Sequence, residues 1–149
     1  MHCKVKMEKR AIKAFLIFGS AWALNVPAAF AEEDWIRLPT SAPDVIFTID
    51  KASIERQGNI VKFWEKITFE KPDVKDEASG MMIKEKKVNR IMDCAGHTQG
   101  VISGATFGEK GRFISSVEFK AAQIRMNAIP PGTLADEEFN LVCFSESKK

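Results

Sequence analysis

Two cysteines, Cys94 and Cys143, are all that the chain keeps once its N-terminal leader is set aside, and no other feature limits its fold as strongly. The leader is residues 1–31. Lys4, Lys6, Lys9, Arg10 and Lys13 make a basic start against one acid, Glu8. AFLIFGSAWALNV (14–26) follows, uncharged and mostly apolar. PAAFA then sets Ala29 and Ala31 at the small-residue positions of a signal-peptidase site. A membrane span needs about 20 apolar residues, so this run predicts a cleaved secretory signal peptide, with 32–149 as the mature domain. No later stretch is long and apolar enough to span a bilayer.

Export settles the cysteine arithmetic. Cys3 leaves with the leader, and two thiols in an oxidising compartment make one disulfide, Cys94–Cys143. The leader also carries away the basic excess, so the formal net charge falls from +2 to −2. Binding to nucleic acid is therefore not expected. A chain of this length supports one small domain with one core.

Periodicity outlines that domain. EEDWIRLPTSAP (32–43) is polar and proline-rich, with Trp35 and Leu38 as its docking side chains. DVIFTID (44–50) alternates as a strand, ERQGN (55–59) reads as a turn with Gly58 free to take positive φ, and NIVKFWEKITFE (59–70) is rich in β-branched and aromatic residues. KPDVKDEASG (71–80) is a charged loop. MMIKEKKVNRIMDC (81–94) permits a helix by propensity, but its alternation favours a strand. GVISGATF (100–107) and RFISSVEF (112–119) flank GEKG as a hairpin. AAQIRMNAI (121–129) is either a short strand or an extended link. After Pro130 and Pro131, Thr133 is a good N-cap, and Asp136, Glu137 and Glu138 suit the positive end of a helix dipole. Ala135, Phe139, Val142 and Cys143 share one helical stripe, which points Cys143 at the core. The predicted fold class is α+β: a small antiparallel β-sheet with a C-terminal α-helix tethered to it by one disulfide.

RIMDCAGHTQG (90–100) brings Asp93, Cys94 and His97 together, which raises metal ligation and thiol chemistry. Structural zinc takes four ligands. His97 is the mature chain's sole histidine, and a disulfide removes both sulfurs. A cysteine nucleophile with His97 as base fails on the same ground. Ser103, Ser115 and Ser116 lie in no nucleophile pattern, and phosphate-cradling or calcium-binding loops are absent. No catalytic residue, metal or cofactor is expected, and His97 reads as an ordinary polar residue leaving a strand.

Two features are left as candidate partner surface. On the 59–70 strand, Val61, Phe63, Ile67 and Phe69 form one face, while Ile60 and Trp64 give the other an apolar patch. That patch meets the 32–43 segment, another strand layer or another molecule. Lys84, Lys86 and Arg90 share a strand face. They suit an acidic partner, or simply keep the strand solvated against aggregation.

The early Trp35, the DKASIERQGNIVKFW stretch (50–64), the MDC at 92–94 and the PPGT…C ending (130–143) together resemble the surface-adhesin protein E family of Gram-negative bacteria. The resemblance covers the whole mature domain and rests on order and spacing. It implies a sheet with a disulfide-tied C-terminal helix, adhesion to a host or matrix protein without enzymatic activity, and self-association as a homodimer. PAAFAEED offers no cysteine for a lipid anchor. The expected location is therefore the periplasm or the extracellular space, with the cell surface less favoured. The alternative expectation is a soluble periplasmic structural or stress-related protein.

Overall fold

Alternating β-branched and aromatic residues organise nearly the whole domain into one antiparallel meander. The computed structural model describes residues 34–72 and 74–144; the predicted leader lies outside them. The strands are β1 (Trp35–Arg37), β2 (Val45–Gln57), β3 (Ile60–Phe69), β4 (Glu85–Asp93), β5 (Thr98–Phe107) and β6 (Phe113–Glu118), in that spatial order. A two-residue strand, β7 (Asn127–Ala128), returns to β5 at Thr98 and Gln99. The helix α1 (Leu134–Phe144) ends the described chain.

The turns follow their chemistry. Gly58 takes φ 60° between β2 and β3, so the 55–59 turn tightens to two residues and β2 extends to Gln57. In the GEKG connection, Lys110 and Gly111 both take positive φ, at 55° and 71°. The ambiguous 121–129 stretch contains a 3-10 turn at Ala121–Gln123 and then β7.

The core lies between the sheet and α1. Val61 and Phe63 from β3 and Met92 from β4 meet Phe139 and Val142 from the helix, with Ile49, Leu38 and Ile129 closing the sides. Phe63 is 1% exposed and Phe139 5%; truncating such a side chain to alanine costs about 3–5 kcal/mol. Strand pairing puts Phe63 opposite Arg90 and Glu65 opposite Val88, so Glu65 and Arg90 face the helix too.

Two bulges shift which residues face α1. Four residues of β2, 51–54, have no counterparts in the β3 ladder, and β5 carries one extra residue, Ile102, between Val101 and Ser103. Each reverses the strand's odd–even alternation. Phe47 and Ile49 therefore face the core before the first bulge, and Ile54 and Arg56 after it. In the bulge, the Ser53 hydroxyl donates to the Asp50 carbonyl (2.7 Å) and accepts from the Trp64 amide (2.9 Å).

Candidate functional site

Asp93, Cys94 and His97 share a tight turn, but each has a different structural task. The Asp93 carboxylate accepts hydrogen bonds from the Ala95 and Gly96 amides at 3.0 and 3.1 Å and closes the turn. Cys94 is bonded to Cys143, across the predicted 49-residue separation, with Cα atoms 5.7 Å apart. His97 departs from the sequence reading. It is no ordinary residue leaving a strand, because it takes φ 51° and stacks on Phe139 with ring centroids 4.0 Å apart. Its Nε2 lies 3.5 Å from Asp136 Oδ1, and its carbonyl accepts from the Ile129 amide. The β4–β5 turn is thereby joined to the start of α1. Among the described residues, no three His, Cys, Asp or Glu side chains are placed to hold a metal ion.

Both ends of α1 are fastened. At its start the Thr133 hydroxyl accepts from the Asp136 amide (3.4 Å), and Asp136 Oδ2 accepts from the Gly132 amide (2.9 Å). At its end Arg56 Nη2 donates to the Val142 and Cys143 carbonyls at 2.6 and 2.9 Å. A cation on the last carbonyls complements the negative end of the dipole. Arg56 sits in the stretch that sequence reading assigned to a turn, and only the β2 bulge brings it under the helix.

The strip expected from Lys84, Lys86 and Arg90 does not project as one surface. Lys84 Nζ donates to the Glu70 carbonyl at 2.8 Å, and Lys86 Nζ lies 5.7 Å from the Phe69 ring centre. Arg90 turns under the helix. Its Nε donates to Glu65 Oε2 and lies 3.7 Å from Glu138 Oε2, while Nη1 donates to Gln99 Oε1 at 3.3 Å. Glu65 and Glu138 are 0% and 1% exposed. Burial of a cation is tolerable here because carboxylates meet it from β3 and α1.

Two buried carboxyls around one cation cannot both ionise cheaply. Burial, reinforced by the neighbouring Glu65 charge, pushes Glu138 up to about 8 despite the opposing pull of Arg90. Glu65 Oε1 and Glu138 Oε2 are buried with no hydrogen-bond partner, and hydrogen bonding with the Glu65 side chain adds to the preference of Glu138 for its proton. Burial alone would lower the Arg90 pKa, but the two carboxylates outweigh it and raise it.

The linkage has a definite sign. Between the ordinary carboxyl value of 4.5 and about 8, the folded state holds a proton that the unfolded state has lost. Glu138 thus contributes stability that is fully present below pH 4.5 and is gone above about 8. Its share of the slope is at most about −1.4 kcal/mol per pH unit. Glu138→Gln should match the parent near pH 5 and exceed it near pH 9, as urea denaturation at both pH values would show. Parallel pH profiles for the two proteins would refute the retained Glu138 proton.

On the outer face, Trp64 lies opposite Asp50 and Asn89 and is 37% exposed. Residues 34–43 do not bury it. Instead β1 extends the sheet beyond β2, where Trp35 sits 4.0 Å beneath Lys66 Nζ and Leu38 enters the core. The sole α-helix among the described residues lies on the opposite face.

These features define a class: an α+β domain in which an antiparallel meander carries one C-terminal helix, held by a disulfide and a buried ion cluster. Residues 35–144 match the model of the surface-adhesin protein E family, and the chain belongs to that family. It is an adhesin-like protein. Its fold is similar to solved structures of Haemophilus influenzae protein E. Crystal form II is 18% identical with a TM-score of 0.54, over 73% of this chain and 86% of that one. The selenomethionine form is 16% identical with a TM-score of 0.55, over 74% and 86%. No curated protein sequence matches the chain.

Proposed function

We propose that this protein is a non-enzymatic, exported binding module whose partner is a host or matrix protein. The carrying observation is Trp64, half-exposed on the face away from α1. Lys62 and Lys66 flank it along β3, and Asp50 and Asn89 flank it across the sheet. An aromatic side chain rimmed by polar groups is the usual energetic centre of a protein–protein contact. The same face serves self-association as a homodimer. Membership of a surface-adhesin family supports both the adhesive role and display outside the cytoplasm.

Trp64→Lys tests this reading. The exposed position keeps the effect on folding small. Retention on immobilised extracellular-matrix proteins should fall at least about tenfold, the loss of one centrally placed anchor, and light scattering should show the dimer shifted to monomer. Unchanged binding together with unchanged mass removes the Trp64 face from the function. Protease treatment of intact cells should digest the protein. Protection until the outer membrane is opened would instead support a structural role inside the periplasm.

A further inference from the structure

β6 leaves the edge of β5 at Ser103, and β7 joins that edge at Gln99. The gap opens a pocket of about 340 Å³, within the size range of small-ligand sites. Its walls combine apolar surface from Val101 and Phe119 with the polar groups of Arg90, Gln99, Arg125 and Asn127. Phe119 is 37% exposed. The far wall is held close to the sheet. A Cβ on Gly100 would lie 2.9 Å from Met126 Sδ and 3.0 Å from the Arg125 carbonyl, so only glycine lets the 124–126 segment run this near β5.

The charges in and behind the pocket select the ligand. Arg90 uses Nε on Glu65 and Nη1 on Gln99, and its remaining N–H groups have no acceptor among the described residues. The exposed Arg125 guanidinium likewise has no acceptor among them. Glu65 balances Arg90, and Glu138 is neutral while it holds its proton, so Arg125 leaves a surplus of one positive charge. A single negative charge fits that surplus, and planar guanidinium forks match a carboxylate. We propose that this pocket binds a carboxylate carried on an apolar group, with Arg125 and Arg90 holding the carboxylate and Phe119 and Val101 taking the apolar part. The ligand is either the C-terminal residue of a peptide or a free arylalkyl acid. This site is separate from the Trp64 face.

Glu138 sets the pH range of the site. The charged groups facing it are Glu65 from β3 and Arg90 from β4. On its own helix Asp136 is turned to His97 and Glu137 is exposed, while Arg56 from β2 lies on the final carbonyls. Loss of the Glu138 proton places a second anion on Arg90 and weakens its hold on a ligand.

The experiment is amide-resolved NMR titration of the full domain at pH 7. N-acetylphenylalanine should shift the signals of Gly100, Val101 and Phe119, and N-acetylphenylalaninamide should not. Arg125→Gln should weaken the acid measurably, by up to about fivefold, the loss of one exposed charge contact. Phe119→Ser, also at the rim, provides a second variant with the same expected direction. Equal affinity for 3-phenylpropionate supports the site with a free acid as ligand, and tighter binding of the acylated amino acid supports it with a peptide C-terminus. Binding of the acid should weaken at pH 9 in the parent but not in Glu138→Gln. The proposal is overturned if acid and amide shift the same signals equally, or if both rim variants bind as the parent does.

Discussion

Removing the Cys94–Cys143 bond, as in the double variant Cys94→Ala/Cys143→Ala, should lower stability by about 4 kcal/mol on the chain-entropy model. The bond closes a 49-residue separation, and the unfolded chain regains the freedom that the closure denied it. For a domain of this size, whose whole stability is about 5–15 kcal/mol, the melting temperature should fall by at least about 15 °C. Urea denaturation distinguishes this origin from simple loss of packing: the slope of free energy against urea should rise, because the uncrosslinked unfolded state exposes more surface. Val142 and Phe139 still bury themselves and Arg56 still holds the helix carbonyls, so the variant should fold. A loss below about 1 kcal/mol, well short of that entropic range, would mean that the unfolded chain is already restrained near the bond.

Arg90→Met should cost a comparable amount, about 3–5 kcal/mol at pH 7, because it leaves the buried Glu65 carboxylate without its cation. The cost belongs to the uncompensated charge and not to lost volume, since methionine fills much of the same space. Replacing all three members, as in Glu65→Leu/Arg90→Met/Glu138→Leu, should therefore recover most of the loss. Chemical denaturation of the single and triple variants checks both statements. A triple variant as unstable as Arg90→Met would show that the cluster's geometry, and not its charge balance, supports the core.

The same cluster marks where sequence reading stopped. Glu65 stands between Phe63 and Ile67 on the apolar face of β3, Arg90 between Val88 and Met92 on β4, and Glu138 on the helical turn between Leu134 and Val142. Each interrupts an apolar pattern at a position that periodicity assigns to the core. That interruption was the available signal. Taken singly, each charge belongs at the surface, since isolated burial of an ion is prohibitive. Only their meeting across two strands and a helix makes burial tolerable. Arg56 and His97 were missed for related reasons: a bulge carries one under α1, and positive φ turns the other onto Phe139.

By itself the sequence determined the local and covalent framework. Alternation specified the strands of β2, β3, β5 and β6; Gly58 and the GEKG run specified turns; and Thr133 with its following acids began the helix. With the predicted leader and its Cys3 set aside, residue supply paired Cys94 with Cys143. These follow from spacing and backbone preference, which act within a few residues, or from counting. The tertiary structure decided which charges lie inside, which tryptophan stays exposed and where the β5 edge opens into a pocket. Those outcomes depend on strand register, and two bulges reset it. A one-residue slip exchanges the faces of a strand, so no local pattern could have fixed them before the sheet closed on its helix.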